Sequence, residues 1–131
     1  MSDQNPSILS HVSLGTNDLQ RALDFYDAAL ATLGIGRLVT LDGLAAAYGR
    51  KYPEFWIVLP CNDKPASVGN GVHIGFIAGS REAVHAFHAA AMAAGGTDEG
   101  APGPKPEYGK AYHGCFVKDP DGNKLCFFVF G

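Results

Sequence analysis

Two histidines, His11 and His73, head the same local pattern 62 positions apart. His11-Val12-Ser13-Leu14-Gly15 opens an apolar run that leads through Thr16, Asn17 and Asp18 into an amphipathic stretch ending at Gly34. His73-Ile74-Gly75-Phe76-Ile77 does the same, through Gly79 and Ser80, into a stretch ending at Gly95 and Gly96. Phe25 follows His11 at the same distance as Phe87 follows His73. A pseudo-twofold built from such a repeat brings two imidazoles toward one place, and neutral imidazoles are good ligands for divalent transition metals. A lone histidine at a strand end is otherwise a hydrogen-bonded structural residue; the repetition singles these two out.

The elements that must carry these residues follow from periodicity. Residues 8–14 alternate as a half-buried strand, with His11 sharing a face with Leu9 and Ser13. Asn17 or Asp18 caps the next helix, with Gln20 as capping-box partner of Asn17. Leu19, Ala22, Leu23, Tyr26, Leu30 and Leu33 then recur at three- and four-residue steps, an apolar stripe facing a core. Gly34 and Gly36 stop that helix, and short extended pieces follow around 37–41, 44–48 and 55–59. Residues 62–70, with Pro65 and Gly69, read as a linker. The second half repeats the order: a strand over 72–77, a helix capped by Ser80, a loop over 101–108 rich in proline and glycine, and a hairpin. Asp119-Pro120-Asp121-Gly122-Asn123 turns that hairpin between apolar runs at 112–117 and 124–130. Each half therefore reads βαβββ, an α+β pattern with mostly antiparallel strands.

Composition narrows the function classes. With 47% apolar and 18% charged residues the 131-residue chain forms one folded domain. Its net charge of -3 gives no basic footprint for nucleic acid. The apolar run at 125–130 is too short to span a membrane, and no export signal is visible. Cys61, Cys115 and Cys126 lie far apart without CxxC spacing and read as free thiols of a cytoplasmic protein. No nucleophile elbow, P-loop or dinucleotide fingerprint is present. His85 and His88, spaced i, i+3, can share an ion, but Glu82 and the surrounding alanines make a solvated helix face the simpler reading.

Four features together carry a resemblance: the His11 strand start, the Phe25-Tyr26 helix, Gly71-Val72-His73-Ile74-Gly75-Phe76, and Asp119 through Leu125. With these the chain resembles the glyoxalase/bleomycin-resistance/extradiol-dioxygenase family, the vicinal oxygen chelate superfamily. The resemblance implies one domain of two βαβββ modules, about 8–61 and 71–131, whose mixed sheets curl into a cup that a homodimer often completes. It implies one divalent metal in the cup, held by His11, His73 and a carboxylate in the last strand. Cys126 stands where that carboxylate is expected, and a thiolate beside two imidazoles makes the site zinc-like. Cysteine is also a common small buried hydrophobe, and Phe128 and Phe130 share its face.

The implied activity is a metal-dependent lyase or isomerase of glyoxalase type, acting on a small oxygenated substrate. Proton transfer needs a base within reach, and the glutamates that serve lactoylglutathione lyases are absent from both matching positions. Glu54, Glu107 and His113 are the candidates to replace them as catalytic groups. Tyr108, Tyr112, His113 and Phe128 are placed to contact substrate at the mouth of the cup. The alternative is metal-free sequestration of a small molecule, as in bleomycin-resistance proteins.

Overall fold

A computed structural model describes residues 6–130. The chain runs β1 (Val12–Gly15), α1 (Leu19–Ala31), β2 (Gly36–Leu41), β3 (Ala45–Gly49) and β4 (Phe55–Val58). It then repeats as β5 (His73–Ile77), α2 (Arg81–Ala93), β6 (Thr97–Pro104), a 3-10 turn over Pro106–Tyr108, β7 (Tyr112–Lys118) and β8 (Lys124–Phe130). Each module forms one four-stranded mixed sheet, ordered β1-β4-β3-β2 and β5-β8-β7-β6, with the first strand of the module parallel to its last. The α+β architecture of two βαβββ units is therefore present. The two sheets are curled and do not close on each other. No helix among the described residues is long and apolar enough to cross a membrane.

The helices begin where side chains can satisfy the first free amides. Asp18 accepts from the Arg21 amide at 3.0 Å, and Ser80 accepts from the Ala83 amide at 3.1 Å. Gln20 makes no capping box; it donates to Asp24 one turn on. Asn17 instead clamps the linker, exchanging two hydrogen bonds with the backbone of Ala66. Both helices bury one stripe, and the two stripes meet in a core common to both modules. Tyr26, Phe55 and Ile57 from module one join Phe87, Leu125 and Phe127 from module two there. Phe55 meets Phe76 edge-on across the module boundary at 5.0 Å. Each such fully buried side chain stabilises the fold by about 1.5–3 kcal/mol through area removed from water.

Two sequence expectations change. The first strand spans Val12–Gly15, and not residues 8–14, because its parallel partner β4 begins only at Phe55. The residues before Val12 run past that end, leaving Ile8 95% and Leu9 69% exposed. Residues 101–104, expected as loop, belong to β6. Pro102 and Pro104 are tolerated there because β6 is an edge strand, and its register against β7 shifts twice.

The turn at Asp119 ties the modules together. Asp119, 3% exposed, accepts from the Tyr26 hydroxyl at 2.6 Å and from the amides of Asp121 and Asn123. Asp121 accepts from the Thr16 hydroxyl, the Asn17 amide and the Arg21 guanidinium. Asn123 donates to the Gly15 carbonyl at 3.1 Å. A hairpin turn of module two is thus fastened to the start of α1.

Candidate functional site

Strand alternation decides which side chains of the second sheet point away from the helices. Cys115 reaches toward Val84 of α2, and Val117, Leu125 and Phe127 enter the core. Their neighbours Tyr112, Gly114, Phe116, Cys126, Phe128 and Phe130 therefore share the opposite face. Tyr112 stacks on Phe128 with centroids 4.9 Å apart and planes 8° from parallel. Phe130 stands edge-on to both rings, and Tyr108 lies 5.2 Å from Tyr112. Lys124 places its ammonium 5.1 Å from the Phe116 ring centroid. Phe130 and Tyr108 remain more than half exposed, so this is an open aromatic platform.

Two glycines shape the platform, and the sequence alone gives neither that role. Gly114 lies opposite Phe128 in the ladder, and a Cβ there would meet the Phe127 carbonyl at 2.8 Å and the Tyr112 ring at 3.0 Å. Any side chain at that place would push Tyr112 off Phe128. Gly75 lies opposite Cys126 on the same face, and a Cβ there would stand 3.6 Å from the Phe128 ring. The clue to both is their cross-strand pairing with Cys126 and Phe128, which requires the register of the ladder.

Cys126 is 4% exposed, and its thiol shares a 2.9 Å hydrogen bond with the Tyr112 hydroxyl. Burial pushes the thiol pKa above its ordinary value, and burial and then the thiol itself raise that of the Tyr112 hydroxyl. Both groups are protonated at neutral pH. Such a pair is a neutral polar contact within an aromatic surface.

The other predicted residues fall in separate places. His11 and Glu54 line one cavity of about 620 Å³ with Ser10, Tyr52 and Trp56, so module one does bring an imidazole and a carboxylate together. Glu54 gets there because it precedes β4 with the parity of Trp56, which faces away from the core. A second cavity of about 410 Å³ extends from His11 and Glu54 to Ile74–Ile77 across the gap between β1 and β5. His73 lines a different depression, with Glu99, Lys118 and Lys124. Glu107 is exposed on the 3-10 turn.

His113 does not join Tyr112 and Tyr108 at the platform. Its place in β7 turns it to the helix side, where its Nε2 lies 3.1 Å from Nε2 of His85. Burial, then the positive charge of Arg81 and His85, lowers its pKa below the usual imidazole range. A one-residue change of parity separates the expected role from the observed one. His85 and His88 likewise do not share an ion: His88 pairs with Asp98 at 2.9 Å.

A metal held by His11, His73 and Cys126 requires three donors to converge. Among the described residues no three histidine, cysteine, aspartate or glutamate side chains do so. Cys126 is occupied by Tyr112, and His73 lies apart from it in a depression where Lys118 takes up the one carboxylate, Glu99. The donor set of one chain does not fit the ion.

A pair of βαβββ modules with curled, unclosed mixed sheets defines a fold of the glyoxalase type. The chain belongs to the Glyoxalase/Bleomycin resistance protein/Dioxygenase superfamily, whose model matches residues 8–127. It is 42% identical to a glyoxalase/bleomycin resistance protein from Albidiferax ferrireducens T118, with a TM-score of 0.86 over 94% of this chain and 99% of that one. It shares its fold with a lactoylglutathione lyase from Agrobacterium tumefaciens, at 20% identity and a TM-score of 0.65 over 95% of each chain. A glyoxalase-related enzyme from Fulvimarina pelagi is similar at 18% identity and a TM-score of 0.72, over 95% of this chain and 88% of that one. No curated protein matches the sequence.

Proposed function

We propose that this protein is a small-molecule-binding member of its superfamily, taking a flat apolar ligand on the Tyr112–Phe128–Phe130 platform without a metal at the family position. The observation that carries this reading is Cys126: at the place expected for a carboxylate ligand stands a protonated thiol bound to Tyr112 among aromatic rings. Stacked and edge-on rings recognise flat ligands through dispersion and quadrupole contacts, worth about 0.5–1.5 kcal/mol per ring beyond buried area. The Lys124 ammonium at the edge of the platform favours a ligand that also carries negative charge. A second copy of the chain would complete the cup, a proposal supported by the exposure of Ile77 and Phe130 beside the platform.

The test uses 8-anilinonaphthalene-1-sulfonate, an aromatic anion with a flat naphthalene unit, followed by fluorescence with and without EDTA. Binding is expected to be indifferent to chelator and to weaken roughly tenfold in Phe128→Ala. Binding abolished by EDTA and restored by a divalent ion would overturn the reading. It would reinstate a metal-dependent lyase or isomerase, whose base would be Glu54 in the His11 cavity.

A further inference from the structure

His85 and His113 face each other across the seam between α2 and β7, and the platform uses neither. Their Nε2 atoms are 3.1 Å apart, with ring centroids 5.2 Å apart and planes inclined by 42°. Two imidazole nitrogens on one tetrahedral ion, each at about 2.0–2.1 Å, stand roughly 3.3–3.4 Å from each other. The 3.1 Å pair therefore needs only a small outward movement to reach the spacing of two ligands on a common ion.

The supporting scaffold is rigid on both sides. Val84 and Phe87 anchor α2 in the core beside His85, and Cys115 and Val117 anchor β7 beside His113. Ligands on packed elements hold their geometry better than ligands on loops. His113 is buried while His85 is exposed, so solvent can complete the coordination sphere from the helix side. His113 is also kept neutral by its surroundings, the form in which an imidazole nitrogen presents a lone pair.

We propose that His85 and His113 form an open two-imidazole site for a divalent transition-metal cation of the zinc, nickel or copper class, fastening α2 to β7. Without the ion, one neutral ring donates its Nε2 proton to the other. On binding, that ring carries its proton at Nδ1 instead, and both Nε2 lone pairs turn to the ion. Copper(II) binds more tightly than nickel or zinc at such nitrogen ligands, and manganese least. Glu82 contributes negative charge near His113, whereas Arg81 and Lys105 contribute positive charge. The Lys105 ammonium is tied to the Ala101 carbonyl at 2.9 Å.

Isothermal titration with zinc chloride, repeated with nickel chloride, tests the site on the full chain. One ion per chain is expected, with affinity falling at least tenfold in His85→Ala and in His113→Asn. It should be unchanged in His88→Ala and His73→Ala. His85 is exposed, so His85→Ala should keep the wild-type circular dichroism spectrum while losing the zinc-dependent rise in melting temperature. No binding at millimolar zinc overturns the proposal. Binding that survives His85→Ala and disappears in His73→Ala or Cys126→Ser overturns it as well, and moves the ion to the platform side of the sheet.

Discussion

The first sheet turns Ser13, Ala45, Ala47 and Trp56 away from the helices, and the second turns Tyr112, Phe116, Phe128 and Phe130. The topology of the two modules is the same strand for strand. Module one keeps an imidazole and a carboxylate around a cavity; module two keeps partly exposed rings over a buried, protonated thiol. Their turns differ as well. The β7–β8 turn sends three side chains into module one, whereas between β3 and β4 Arg50 reaches the Leu33 carbonyl at the end of its own helix. A duplicated backbone thus fixes where side chains point and leaves free what they are.

The strongest test of this comparison is whether the halves stand alone. Phe127→Ala should cost about 3–5 kcal/mol, because that ring packs on Phe76 and Phe87 in the shared core. The loss should appear as one cooperative transition at a melting temperature lower by roughly 10 °C or more. Two separate transitions would show that the modules are independent.

The fastenings come next in size. Tyr26→Phe leaves the buried Asp119 carboxylate short of a donor and should cost about 1–3 kcal/mol. Arg50→Ala removes the hydrogen bonds to Leu33 and should cost about 1 kcal/mol. Urea titrations of the two variants rank them, and the reverse order would break the asymmetry argued here.

Protonation also distinguishes two neighbours within module two, both on β7. Burial pushes the Cys115 thiol from 9.0 up to about 12. Its contribution is complete below pH 9 and is lost as pH rises toward 12, so Cys115→Ala should flatten the alkaline decline measured by denaturation at pH 7, 9 and 11. His113 has the opposite sign. Its lowered pKa gives a contribution present above pH 6.5 that is lost on acidification, and His113→Asn should remove that part of the acid decline.

The smallest effect concerns labelling. Cys61 is exposed while Cys115 and Cys126 are buried with raised pKa values, so a thiol reagent at pH 8 should modify one cysteine quickly. Fast reaction of Cys126 would contradict the closed Tyr112–Cys126 pair.

Much of the backbone was legible in the sequence because its signals are local. The helix stripes, the Ser80 cap, the glycine stops and the Asp119–Asn123 turn each depend on residues a few positions apart. What escaped depends on distant pairing. Nothing near His113 says which side of β7 it faces, since that parity is set by β8 and α2. The end of β1 is set by β4, forty residues on, and the strand character of Pro102 and Pro104 by their edge position. For the site, the sequence singled out His11 as a ligand, Glu54 as a base, and Tyr112 and Phe128 as ligand contacts, while the shared His11–Glu54 cavity and the stacking of Tyr112 on Phe128 depend on the register of the sheets. Gly75 is read in the sequence only as part of a motif, and Gly114 not at all, because a glycine's role there is to leave room for a neighbour across the ladder.

The proline-bearing strand β6 also bears on how copies of this chain can meet. An edge strand offers free amides and carbonyls to any passing strand, and Pro102 and Pro104 withhold two of those donors. The equivalent edge of the first sheet, β2, has no proline, and Leu38 and Leu41 are exposed along it. Unwanted strand addition, if concentrated protein is heated or agitated, should therefore start at β2, and a charge placed at Leu38 should delay it.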